Sequence, residues 1–348
     1  MLVKIHKTLL AQALGKVSRA ANGRATMPIL SNVLMTTEAD GLRLAATNLE
    51  ITISTWCACT VEEPGAITVP ARLLAEVVGS LPAGEVTLKT LDESCTLRVV
   101  CGSSKTAIKG IDAQEFPPLP QPVGEAVEID AAELRGIIQR VGFAAATDEA
   151  RPSLVGINLT GTHAQATDGF RLAICPAALP PMLAARMGEV KRLATAGVVQ
   201  VYKLAGSILW RCGATDLTTP LIDGRFPDAN AVIPKQFKIS ITAETLALLA
   251  EVKRARMFAD AVTLDLAGDV LTICAAGDET GAYHGEVRVE GAPDDAATVH
   301  FNGRFLAEAL GSAGRSVTIS IIDGKSPVVF TSPEVEGWKA AIMPVSRG

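Results

Sequence analysis

Five times along the chain, an alternating run of apolar and polar residues ends at an apolar position and a helical spacing takes over. Leucine then falls five positions on, with apolar residues at eight and nine. The series reads Ile5, Leu10, Ala13, Leu14; Val69, Leu74, Val77, Val78; Ile129, Leu134, Ile137, Ile138; Ile241, Leu246, Leu249, Ala250; and Phe301, Leu306, Ala309, Leu310. A change from period 2 to period 3.6 at one point predicts an extended strand running directly into an amphipathic helix. A sixth member belongs near residues 180 to 195, where Pro180-Pro181 opens a helical-looking stretch, Met182 to Leu193, with no alternating strand ahead of it.

A longer period contains these units. Ile111-Asp112-Ala113-Gln114-Glu115-Phe116-Pro117 is echoed about 110 residues later by Ile222-Asp223-Gly224-Arg225-Phe226-Pro227, and Ala46-Thr47-Asn48-Leu49 by Ala166-Thr167-Asp168-Gly169-Phe170-Arg171-Leu172. A fixed period means one structural unit has been copied. With two strand-to-helix elements per copy, the chain divides into three units, expected at residues 1–121, 122–235 and 236–348.

Composition narrows the class. With 48% apolar and 20% charged residues and no run of about eighteen apolar positions, the chain is expected to be globular, cytoplasmic and without a membrane span. The start, Met1-Leu2-Val3-Lys4, lacks the apolar stretch of a signal peptide. Seven cysteines, an odd number, predict buried free thiols in a reducing compartment. Cys57-Ala58-Cys59 has no second Cys or His pair nearby to complete a zinc site, so neither metal nor cofactor is expected. The four histidines fall in no catalytic motif. Asp112 and Asp223, at corresponding turns of two copies, are poor candidates for the paired carboxylates of a hydrolase.

Net charge is −5, which argues against a nucleic-acid partner, but its distribution argues the other way. Lys4, Lys7, Lys16, Arg19 and Arg24 precede the first acid, Glu38, and other bases recur on the helical segments: Arg72, Arg135, Arg140, Lys253, Arg254, Arg304. Taken singly these are ordinary solvated faces. If equivalent helices from each copy face one axis, their weak positive stripes add into a basic lining.

At this point the chain resembles the beta subunit of bacterial DNA polymerase III, the sliding clamp family. The resemblance rests on Arg24-Ala25-Thr26-Met27-Pro28-Ile29-Leu30, Ala46-Thr47-Asn48-Leu49-Glu50, Thr68-Val69-Pro70-Ala71-Arg72, Glu115-Phe116-Pro117, Ala166-Thr167-Asp168-Gly169-Phe170-Arg171-Leu172, Asp223-Gly224-Arg225-Phe226-Pro227 and Met343-Pro344, in order and over nearly the whole chain. It implies an α+β fold of three clamp-type domains, each with two helices on antiparallel sheets, and two chains closing head to tail around duplex DNA. It also implies a non-catalytic processivity factor that tethers the polymerase and serves the clamp loader and other proteins carrying a short clamp-binding motif. The alternative is a clamp-like repeat scaffold that binds peptides without encircling DNA.

The resemblance also distributes roles. Arg24 and Arg72 match basic positions that face DNA, with Lys16, Arg19, Arg140, Lys253 and Arg254 as further contacts. A client-peptide pocket is implied from Leu154, Thr167, Gly169, Arg171, Leu172 and Pro234, with Asn302, Phe305, Ile342, Met343 and Pro344 from the third copy. A dimer interface is implied between the strands Ser104 to Gly110 and Ala282 to Glu290, with Lys105, Ile108 and Lys109 opposite Glu286, Val287 and Glu290. Two departures stand out. Pro152-Ser153 replaces the aromatic residues that the family often has after the arginine matching Arg151, and Val345-Ser346-Arg347-Gly348 replaces the usual apolar, basic and apolar ending.

Overall fold

The computed structural model describes residues 1–21, 27–91, 95–148, 150–291 and 296–345. All five anticipated strand-to-helix elements form. Leu2–His6 leads into helix α1 (Lys7–Val17), Ala66–Pro70 into α2 (Ala71–Ser80), Val127–Asp130 into α3 (Ala131–Val141), Ile239–Glu244 into α6 (Thr245–Ala255) and Ala297–Asn302 into α7 (Gly303–Leu310). Between them lie α4 (Met187–Leu193) and the single turn α5 (Ala229–Val232). At four of the five junctions the last strand residue, His6, Asp130, Glu244 or Asn302, caps the helix with its own side chain; Pro70, ahead of α2, does not. Asn302 Oδ1 accepts from Arg304 N at 3.0 Å and Phe305 N at 3.3 Å, and the Glu244 carboxylate accepts from Leu246 N and Ala247 N.

Two expectations need correction. In the fourth element the phase is off by two residues: Leu246 is 70% exposed, while Leu248 and Val252 are buried behind Ala243. Ala243, two residues before the helix, is the true equivalent of Ile5, but its single methyl gives a weaker apolar signal than Ile241. The sixth element is also more complete than expected. Met182–Ala184 is a strand, paired with Ile157–Leu159, and α4 starts only at Met187. All three strand residues are buried, so there was no alternation to read.

Both copies of the Ile-Asp segment close against the strand before a helix. Ile111 N donates to Thr68 O at 3.0 Å, and Ile222 N donates to Leu183 O at 2.9 Å. This places Met182–Ala184 as the counterpart of Ala66–Pro70.

The chain divides into two compact units, Met1–Ala132 with Arg192–Pro220, and Glu133–Lys191 with Leu221–Gly348. The first holds a five-stranded sheet and an eight-stranded sheet; α1 packs on α2 and on the strands Gly41–Thr47 and Thr52–Ala58. The second holds one twelve-stranded sheet, with α6 against α7. Every ladder in all three sheets is antiparallel.

Three copies give two units because the sheets run on from one copy to the next. Thr215–Thr218 pairs with Thr52–Thr55 in the first unit, and Arg171–Ile174 with Lys339–Ile342 in the second. The middle copy therefore contributes strands to both.

Candidate functional site

The copied Ala-Thr-Asx segment builds the same turn in each unit. In the second, Thr167 Oγ1 donates to Arg171 O at 2.6 Å and accepts from Gly169 N, while Asp168 Oδ1 accepts from Phe170 N at 2.9 Å and Arg171 N at 3.0 Å. In the first, Thr47 and Asn48 make the equivalent bonds to Ile51 O, Leu49 N, Glu50 N and Ile51 N. The third turn position is left-handed in both, at φ 92° for Gly169 and φ 73° for Leu49. At Gly169 there is a second constraint, since a Cβ there would stand 3.0 Å from Arg151 Nη1.

What surrounds the two turns differs. In the first unit Ile29, Leu30, Ala45 and Phe116 close into a buried cluster. In the second unit the cluster of Leu172, Ile174, Ala229, Val329 and Ala341 leaves a hollow of about 190 Å³ over it. Leu154, Thr167, Gly169, Phe170, Phe226, Pro227, Val232 and Met343 are among the residues around that hollow. Its wall is apolar, which suits a ligand's aliphatic or aromatic side chain.

Arg171, with Arg151 and Phe170, lies between this hollow and a neighbouring cleft of about 780 Å³ that also includes Phe143, Asp148, Arg304 and Glu308. Its guanidinium is buried, donates to Asp168 Oδ2 at 2.9 Å and pairs with Glu308. Phe305 lies under it at 4.1 Å and Phe143 at 5.5 Å. A guanidinium paired with two carboxylates and packed against two rings has little freedom to turn.

Of the residues proposed for the pocket, Leu154, Thr167, Gly169, Arg171, Leu172 and Met343 surround the hollow. Pro234, Asn302, Phe305, Ile342 and Pro344 do not line it. Asn302 is the cap of α7, Phe305 supports Arg171 from below, and Ile342 is 0% exposed in the ladder opposite Arg171. Sequence reasoning missed Phe226 and Pro227, although the copied Phe-Pro motif was itself the signal.

Among the described residues, Lys16, Arg72, Arg140, Lys253 and Arg254 are on helices and Arg19 is in the turn after α1. Arg72 is 92% exposed and paired with Glu76 one turn on, at 2.9 Å. Lys16 is exposed and donates to Thr215 Oγ1 at 3.2 Å; Arg19 Nε donates to Lys16 O. Arg140 is half-buried, while Lys253 and Arg254 are exposed, Arg254 pairing with Glu251. Arg24 lies outside the described residues, as do Arg347 and Gly348.

Ser104–Lys109 ends the five-stranded sheet, paired on one side to Thr96–Cys101. Gly281–Glu290 pairs fully with Val270–Gly277, but its other ladder covers only Val289 and Glu290, against Ala243 and Thr242. Among the described residues both strands therefore have open edge. Lys105, Lys109, Glu286 and Glu290 are exposed, whereas Ile108 and Val287 are already buried within their own units, at 2% and 7% exposure. Period-2 alternation turns these two toward the core of their own unit, so they are not free apolar surface for a partner.

The family models for the N-terminal, central and C-terminal domains of the DNA polymerase III beta subunit match residues 1–120, 128–228 and 230–346. The chain belongs to the DNA polymerase III beta subunit family, the bacterial beta sliding clamps, and has their three clamp domains. It is 33% identical to the beta sliding clamp of Synechococcus elongatus, over 92% of each chain. Among solved structures, it is similar to a Caulobacter crescentus beta sliding clamp carrying polyethylene glycol at a region proposed for beta-motif tethering, with TM-score 0.92, 29% identity and all of both chains covered. It is likewise similar to a Pseudomonas aeruginosa sliding clamp bound to griselimycin, with TM-score 0.92, 27% identity and all of both chains covered.

Proposed function

We infer that the chain is a DNA sliding clamp that encircles duplex DNA as a head-to-tail ring of two copies and tethers the replicative polymerase, conferring processivity in the cytoplasm. The observation that carries the reading is the in-order, full-length likeness to beta sliding clamps of a chain built as three copies. The role is mechanical, and no bond-making step is assigned to any residue. Linkage by topology needs no reading of bases, and sliding needs phosphate contacts that are individually weak. Exposed bases such as Arg72, Lys16, Arg19, Lys253 and Arg254 suit that need, and the same role is assigned to Arg24 and Arg140.

Closure into a ring requires a heterologous interface. The open edges of Ser104–Lys109 and Gly281–Glu290 can supply it by continuing one sheet from chain to chain, with Lys105 and Lys109 opposite Glu286 and Glu290. Clients, the polymerase and clamp loader among them, are read as docking a short peptide in the hollow beside Arg171. The ligand-bound relatives support this, as does the apolar wall from Leu172 to Met343.

The deciding experiment measures retention on DNA. A loaded dimer stays on a closed circle and is lost when the circle is cut. Equal retention on both, or a monomer that never loads, would instead favour a peptide-binding scaffold that does not encircle DNA.

A further inference from the structure

The seven cysteines do not share one environment. Cys57, Cys101 and Cys175 are buried, and burial pushes the Cys57 and Cys175 thiols up to about 11. Cys59 is half-buried and also raised by burial, while Cys212 Sγ donates to Ala196 O at 3.4 Å. Cys274 is different. It sits on the strand Val270–Gly277, directly across the ladder from His284, on the sheet face opposite to the buried Leu271, Ile273 and Val287.

Three groups line up there. Cys274 Sγ is 3.6 Å from His284 Nδ1, and His284 Nε2 is 3.3 Å from Glu286 Oε1. With the ring proton on Nε2 the imidazole donates to the carboxylate and its Nδ1 lone pair faces the thiol. The two ring nitrogens point to different partners, so the trio cannot close around one metal ion; it is arranged as a relay from thiol to imidazole to carboxylate. In the single chain the His284 and Glu286 side chains are 63% and 61% exposed on the sheet face opposite Leu271, Ile273 and Val287, and a small reagent can reach the array from that face even where Glu286 also meets the lysines of a second copy along the strand edge.

We propose that Cys274 is a covalent modification site, a surface nucleophile that exchanges with low-molecular-weight disulfides. His284 Nδ1 takes the thiol proton and Glu286 holds the imidazole in place. The Cys274 thiolate attacks one sulfur of the disulfide RSSR; the new Sγ–S bond forms as the S–S bond breaks, and its electron pair leaves on the departing sulfur. That thiolate then takes the proton from the imidazolium. The products are a mixed disulfide at Cys274 and one RSH; Cys274 is oxidised, and the reagent supplies the oxidising equivalent. The assignment does not depend on the chain encircling DNA.

The test uses the native full-length protein and oxidised glutathione, quenched with acid at intervals and mapped by peptide mass spectrometry. Exposed Cys95 provides the rate of an accessible thiol in the same sample. Cys274 should acquire its adduct about tenfold faster than Cys95, and His284→Gln should remove that advantage while leaving Cys95 unchanged. Glu286→Gln, which keeps a hydrogen-bond acceptor but loses the charge, should cost about threefold by the same reasoning. Rapid modification of Cys274 that survives both His284→Gln and His284→Asn would overturn the relay, and a Cys274 rate no higher than that of Cys95 would overturn the site.

Discussion

Replacing Arg171 by methionine removes its buried charge from between the hollow and the cleft while keeping much of the side chain's bulk. The guanidinium is 5% exposed, and its Asp168 and Glu308 partners are 14% and 39% exposed. Removing one member of a buried pair costs about 3–5 kcal/mol when the other charge is left bare. Here Glu308 regains water, and Asp168 keeps the amide donors of Phe170 and Arg171, so the lower part of that range applies. Loss of the ring contacts with Phe305 and Phe143 adds about 1 kcal/mol, and the thioether recovers part of it. A net loss of about 3 kcal/mol is expected. Urea unfolding followed by fluorescence can read it, because Trp338 belongs to the same unit, is 1% exposed and donates from Nε1 to Arg140 O at 3.0 Å. Arg171→Lys should recover little, since an ammonium cannot serve both carboxylates from between two rings. A midpoint unchanged in Arg171→Met, with unchanged slope, would refute the buried-charge argument.

Four further outcomes follow from the same geometry. Met343→Ala should weaken a Leu- and Phe-bearing client peptide by about 1–2 kcal/mol in calorimetry, whereas equal affinities would place the peptide elsewhere. Lys105→Glu with Lys109→Glu should shift the solution mass toward monomer without loss of fold; these exposed positions test the edge more cleanly than Ile108→Asp, which would unfold its own unit. Arg72→Ala should lower the salt slope of duplex binding by about one phosphate contact with no change in sequence preference, and a change in preference would count against sliding. Glu251, held below the ordinary carboxylate range first by the Tyr283 hydroxyl and then by Arg254, contributes stability above pH 4.5 that is lost as pH falls through its folded value. Glu251→Gln should therefore flatten the acid limb of the stability profile below about pH 4.5, and an identical limb would refute the assignment.

The sequence by itself determined the number of copies, the strand-to-helix elements and the family. Each is a local or periodic property: the switch from period 2 to 3.6 marks where a strand ends, and the copied Thr-Asx turn satisfies its own backbone within five residues. Where a signal needed contrast it failed. Met182–Ala184, buried throughout, shows no alternation, and Ala243 is too small to outweigh Ile241 as a phase marker. Only the tertiary structure decided which turn stays open. The same Phe-Pro motif fills a core with Phe116 in the first unit and borders the hollow with Phe226 in the second, because Ile29, Leu30 and Ala45 close over the former. It also decided that Arg171 is buried between the hollow and the cleft, and that Cys274 faces His284. The first needs a strand and a helix 137 residues apart to be packed together, and the second the register of the hairpin that sets Cys274 across from His284.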